Sequence, residues 1–244
     1  MIRLLGVLLA LLSLKVATAQ IHAPKLTEGL VGNNQFITLK RQIGHFDRLQ
    51  VTYALKVNIQ EGDADWLELK GESNVLPYVN VENKNGELRV SLSRKIPIKE
   101  SKAITLTIHT NKLKQIQASM ACLIKADVPL VADLLTVQLD TASALEATLA
   151  VKRLELRLSA SSRANLQGAA TEAQISLVGA CTLTADQLVV SRLSSRLSNV
   201  SKATITVKDQ LSARLESIST LTYSGRPTVD YQQTDDMSKL VSKR

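Results

Sequence analysis

Six segments between residues 113 and 223 follow one plan, an apolar residue succeeded within two to four positions by small ones. The apolar anchors are Ile116, Leu139, Leu158, Leu177, Leu197 and Leu215, and successive anchors stand 23, 19, 19, 20 and 18 residues apart. A period of about 20 residues without Pro/Gly-rich linkers marks units that bury their apolar faces only by stacking on one another, as in a solenoid. The units hold β-branched residues, Ser and alternating Leu, with neither an Asn ladder nor a helical half-repeat. The expected fold is all-β, a right-handed parallel β-helix (β-solenoid) of about six coils.

The chain ahead of the repeat alternates too. Phe46, Leu49 and Val51, then Leu55, Val57 and Ile59, then Trp66, Leu67 and Leu69 sit mostly two apart, with Gly62 and Gly71 between groups. This is the spacing of half-buried strands joined by turns. Residues 79–81 and 88–92 flank Asn85-Gly86, a pair suited to the positive φ angles of a tight hairpin. Residues 20–44 have no sustained period and read as a leader or an irregular first strand. The expected organisation is one domain over residues 45–240, with a β region at 45–112 continuous with coils at 113–223. A C-terminal cap and polar tail at 224–244 and the N-terminal region would cover the open coil edges.

The first residues have a different logic. Met1-Ile2-Arg3 leads into an apolar run from Leu4 to Leu14, then Ala17-Thr18-Ala19. This charged, apolar, A-x-A order is that of a secretory signal peptide over residues 1–19, cleaved between Ala19 and Gln20. The expected location is the periplasm, the outer-membrane surface or the exterior. The apolar run is shorter than the roughly 20 residues of a spanning helix, and no later stretch is apolar enough, so the chain is not expected to span a membrane. Loss of Arg3 and Lys15 lowers the formal charge from +8 to +6. A mildly basic protein favours anionic surfaces, although scattered Lys and Arg also suit an ordinary solvated surface. Export and an aromatic content of 3% disfavour nucleic acid as a partner.

The residues before the anchors should face outward: Gln115, Gln138, Arg157, Ser176, Arg196 and Arg214. Stacked about 4.8 Å apart, they would form a polar ladder in which Arg157, Arg196 and Arg214 make a weak anionic-ligand strip. The competing reading is a face kept polar for solubility. Cys122 follows the first anchor and Cys181 the fourth, placing them three coils or ~14 Å apart. That exceeds the reach of a disulfide, so both are expected to be free, buried thiols.

Converging ionisable groups are hard to find. His22, His45 and His109 lie outside the repeat, and no pair has metal-ligand spacing. The run from Glu61 to Asp65 resembles part of a calcium loop but lacks its downstream bidentate Glu. Asp127, Asp133, Asp140, Asp186 and Asp209 fall at different offsets from their anchors. No G-x-S-x-G elbow occurs. No catalytic activity, cofactor or metal is expected.

Three stretches carry a family resemblance: residues 46–60; residues 67–72 with Val75-Leu76 and residues 79–90; and the closing Leu221-Thr222-Tyr223-Ser224-Gly225-Arg226-Pro227-Thr228-Val229. Over roughly residues 45–240 the chain resembles the head GIN domain family of auto-transporter adhesins, exported proteins common in Bacteroidota whose domain is of unknown function. The resemblance implies an adhesin-like surface or periplasmic binding protein, with a glycan or a surface protein as partner and no catalytic residues to carry over. A structural envelope protein acting by protein association is the alternative, and a degenerate carbohydrate-active β-helix the third. Family members usually place Gly-Ser-Gly at each repeat turn. This chain has Ala142-Ser143, Ala160-Ser161, Gly179-Ala180 and Asn199, so its coils are expected to turn with negative φ angles or wider corners.

Overall fold

Period-two alternation sends every second side chain of a strand inward, and here the inward set stacks into continuous columns. The computed structural model describes residues 29–62, 66–93, 97–110, 112–235 and 237–243. Ahead of the repeat lie β1 (Leu30–Val31), β2 (Phe36–Gln42), β3 (Arg48–Thr52), β4 (Lys56–Gln60), β5 (Trp66–Glu72), β6 (Val79–Lys84), β7 (Glu87–Leu92), β8 (Ile98–Glu100) and β9 (Thr105–His109). The repeat supplies β10 (Gln115–Ser119), β11 (Leu123–Ala126), β12 (Leu130–Leu139), β13 (Ala144–Ser159), β14 (Arg163–Val178), β15 (Thr182–Ser198), β16 (Lys202–Leu215) and β17 (Thr220–Ser224). β18 (Thr228–Thr234) and β19 (Lys239–Ser242) end it. The signal segment, including Ala19 and Gln20, lies outside the described residues.

Strands β10 to β19 pair in parallel, coil on coil, and the whole is a β-solenoid of about seven turns. Each coil has three faces. The first face holds β3, β7, β10, the C-terminal parts of β12 to β16, and β18. After a corner, the second face holds β4, β9, β11, the N-terminal parts of β13 to β16, β17 and β19. The third begins at Leu130, which is in register with Leu149, Gly168 and Leu188. In β13, Leu154, Leu156 and Leu158 are buried while Lys152, Arg153 and Arg157 are exposed.

Leu139, Leu158, Leu177, Leu197 and Leu215 form one buried column, as their spacing predicts. The first anchor differs. Ile116 is in register with Val137, and Ala118 stands beneath Leu139. A slip of two residues keeps both side chains inward, so alternation alone does not distinguish the registers. The outward residue of that coil is accordingly Gln117, whose amide donates to Gln138 at 3.2 Å.

The N-terminal coils stack out of chain order. β3 lies between β7 and β10, and β4 between β9 and β11, so residues 48–60 occupy the second position and residues 87–109 the end. Antiparallel strands then close that end: β6 on β7, β5 on β9 and β2 on β5. Asn85 and Gly86 make the tight β6–β7 turn with φ of 52° and 75°. Residues 30–42, without a hydrophobic period, form β1 and β2. The segment joining them is tied down by Glu72, 2% exposed, whose carboxylate accepts the N–H groups of Asn34 (2.8 Å) and Lys102 (2.9 Å).

Candidate binding faces

The corners decide how straight the outer faces are. The expectation of negative φ angles is overturned: Met120-Ala121, Thr141-Ala142, Ala160-Ser161, Gly179-Ala180, Asn199-Val200 and Ser217-Ile218 all take positive φ. The two-residue left-handed turn therefore survives without a glycine at most positions. A buried small residue follows each pair: Cys122, Ser143, Ser162, Cys181, Ser201 and Ser219. Its side chain folds back onto the carbonyl three residues earlier, at 2.8 Å for Ser201 to Ser198 and for Ser219 to Glu216, and at 3.2 Å for Cys122 to Ser119. Ser143 takes another route, accepting the N–H of Cys122 in the coil beneath at 3.3 Å. The hydroxyl of Ser162 has no partner among the described residues. Both cysteines stand in this column, three coils apart, as free buried thiols whose pKa burial pushes upward.

Identical corners place outward side chains in ranks. On the first face the structure aligns Arg157, Ser176, Arg196 and Arg214 in register, as the sequence predicts. They line a groove of about 320 Å³ with Ser194, Ser212 and Tyr231. Each arginine has a carboxylate neighbour. Arg157 lies 3.9 Å from Glu155, while Glu216 takes Arg196 at 3.7 Å and Arg214 at 2.6 Å. Two carboxylates thus offset most of the charge of three arginines.

The third face is likewise balanced. Glu172 binds Arg153 at 3.1 Å and also Arg192, and these guanidinium groups, Arg192 first, hold its carboxyl below the usual range. Asp133 and Lys152 pair at 2.7 Å.

The second face differs, and its residues are absent from the sequence-level candidates. From β5 to β19 its two outward ranks hold Lys70, Lys56, Lys125, Arg163, Lys202 and Lys239 against Glu68 and Glu146. Only Lys125 has a carboxylate partner, Asp127 at 3.2 Å, and the other five cations form no ion pair among the described residues. A groove of about 420 Å³ runs over its middle, lined by Lys56, Asn58, Leu123, Arg163, Asn165 and Thr184 among others. The signal for this face was the residue just after each corner, one segment beyond the arginine column.

The histidines do not converge on either face. His109 stacks on Trp66 with centroids 4.5 Å apart, and His45 lines a separate cleft. His22 and residues 63–65 of the acidic run lie outside the described residues. Among the described residues no group of three or more His, Cys, Asp or Glu could hold a metal ion.

Residues 45–227 match the family described as "Putative auto-transporter adhesin, head GIN domain". The chain belongs to the head GIN domain family. Solved structures with the same fold include a "putative adhesin" from Bacteroides fragilis (TM-score 0.78, 17% identity, covering 88% of this chain and 98% of that one). Another, from Parabacteroides merdae, has a TM-score of 0.71 at 19% identity, covering 88% and 99%. A "putative lipid binding protein" from Parabacteroides distasonis has a TM-score of 0.66 at 10% identity, again covering 88% and 99%. No protein of curated function matches the sequence. In this head GIN domain, two-residue left-handed corners, five of the six without glycine, keep the outward ranks in register from coil to coil.

Proposed function

We propose that this head GIN domain is an exported, non-catalytic, adhesin-like protein of the cell envelope that holds a glycan or surface-protein ligand along a solenoid face. The carrying observation is the register itself: outward side chains repeat in straight ranks over successive coils, a surface suited to an extended ligand. The adhesin description of the family and of its solved relatives supports the same reading. Arg157, Arg196 and Arg214 are one candidate contact strip on the first face.

The test is binding of the chain from Gln20 onward to an array of glycans and matrix proteins in a salt series. Saturable binding supports the reading. Failure to bind any member of the array counts against it and favours a structural role with a protein partner.

A further inference from the structure

Charge is distributed unequally around the solenoid. Arginines on the first face sit beside Glu155 and Glu216, and the third face is knitted by Glu172 and Asp133. The second face holds six cations against two carboxylates in its outward ranks from β5 to β19, and of these cations only Lys125 has a carboxylate partner among the described residues.

The positions of these cations matter more than their number. One outward rank runs Lys70, Thr105, Lys56, Leu123, Ala144, Arg163, Thr182, Lys202, Thr220, Lys239, each in register with the next. Steps between successive cations are therefore two, three, two and two strands. At the inter-strand spacing, a two-strand step is about 10 Å, comparable to the length of a disaccharide unit. All five cations are exposed and form no ion pair among the described residues. Between and beside them stand short donors and acceptors, including Asn58, Asn165, Thr184, Thr204 and Thr222.

We infer that the second face binds a linear acidic polysaccharide lying along the solenoid axis, with carboxylate or sulfate groups over Lys56, Arg163, Lys202 and Lys239 and sugar hydroxyls over the Thr and Asn side chains. This deepens the adhesin-like reading and rests on it. Charge complementarity identifies a polyanion, and the single axial rank, with a groove of about 420 Å³ over its middle, fits a chain rather than a sheet of headgroups. A membrane-seeking face pairs cations with apolar groups that insert. Along these ranks the described residues include two large exposed apolar side chains, Leu123 and Val241, each 40% exposed and six strand steps apart, too sparse to form an inserting stripe.

The experiment uses the chain from Gln20 onward, a polyuronate, its oligomers of increasing length, neutral dextran, and vesicles of phosphatidylglycerol. Two variants are compared: Lys56→Ala/Arg163→Ala/Lys202→Ala/Lys239→Ala on the second face and Arg157→Ala/Arg196→Ala/Arg214→Ala on the first. The parent protein should bind polyuronate and not dextran, with an affinity that falls as salt rises. The second-face variant should bind roughly tenfold or more weakly with a shallower salt dependence, and the first-face variant should bind like the parent.

Affinity should also grow with oligomer length and level off once the oligomer covers the seven strand steps from Lys56 to Lys239, roughly 34 Å. That series needs no variant and holds even if a substitution impairs folding. Loss of binding in the first-face variant alone would overturn the inference and leave the adhesin-like reading intact. Binding to the vesicles without binding to polyuronate would overturn it in favour of a lipid surface. Binding to other array members but not to polyuronate would overturn it too, and silence across every ligand would remove both readings.

Discussion

At the scale of single residues, the corners carry a cost that a glycine would lift. Val200 and Ile218 are β-branched, take φ of 66° and 65°, and are each 50% exposed. The left-handed region is disfavoured for such residues by about 1–2 kcal/mol, whereas a glycine adds an unfolded-state entropy cost of roughly 0.5–1 kcal/mol. The corner term is the larger, and a half-exposed side chain gives up little burial. Ile218→Gly should therefore raise the midpoint of urea unfolding without changing its slope. The same replacement at Leu123, 40% exposed but in strand β11, should lower it. A lower midpoint for Ile218→Gly would mean that its side chain stabilises the corner in a way that backbone geometry does not reveal. Glycine-poor sequence hid these corners, because nothing in Thr141-Ala142 or Asn199-Val200 announces two consecutive left-handed residues. The buried Ser/Cys that follows each pair was the visible half of the same device.

At the scale of elements, coils are joined by core columns and by ion pairs that cross from strand to strand. Arg153, Glu172 and Arg192 are in register on β13, β14 and β15, so one carboxylate bridges three coils. Its folded-state pKa is lowered, chiefly by Arg192 and then by Arg153. A group with a lowered folded-state pKa stabilises the fold above its ordinary carboxylate value, and the contribution fades as pH falls through the folded-state value. Glu172→Gln should accordingly unfold at a lower temperature than the parent at about pH 7, and the gap should be smaller in an acidic buffer below the ordinary carboxylate value. A gap of equal size at both pH values would assign the effect to packing. The repeat was legible because Leu139 to Leu215 recur with constant inward parity. The slip at Ile116 was not, since Ile116 and Ala118 both point inward and the larger side chain drew the alignment. Nor was the insertion of β3 and β4 between later strands, which depends on contacts between residues far apart in the chain. The second face escaped notice for a related reason. Its segments open with Leu123, Ala144, Arg163, Thr182 and Lys202, a series with no common residue type until the register is known.

At the scale of the whole molecule, the two ends of the solenoid determine whether copies stack. On the second face the column ends in β2 and in β19, each paired on one side only among the described residues. Coaxial stacking would set β2, with Lys40 and Arg41, against the four-residue β19, which begins at Lys239 and is followed by Lys243. On the first face the outer strand β18 carries a register shift at Asp230, which bends the edge that a second copy would need to extend. Like charge, a short edge and a bulge are all devices that discourage edge-to-edge pairing. Lys40 is partly compensated by Glu68 at 3.0 Å, but Arg41, Lys239 and Lys243 have no carboxylate partner among the described residues. The chain from Gln20 onward should therefore sediment as one species, independent of concentration, at low ionic strength, where charges act over about 30 Å. Lys239→Glu together with Lys243→Glu would give β19 the sign opposite to β2, and this variant should associate at low salt and separate as salt is added. Concentration-dependent assembly of the unaltered chain at low salt would show attraction between its ends, and would favour the structural role by protein association over the adhesin-like one.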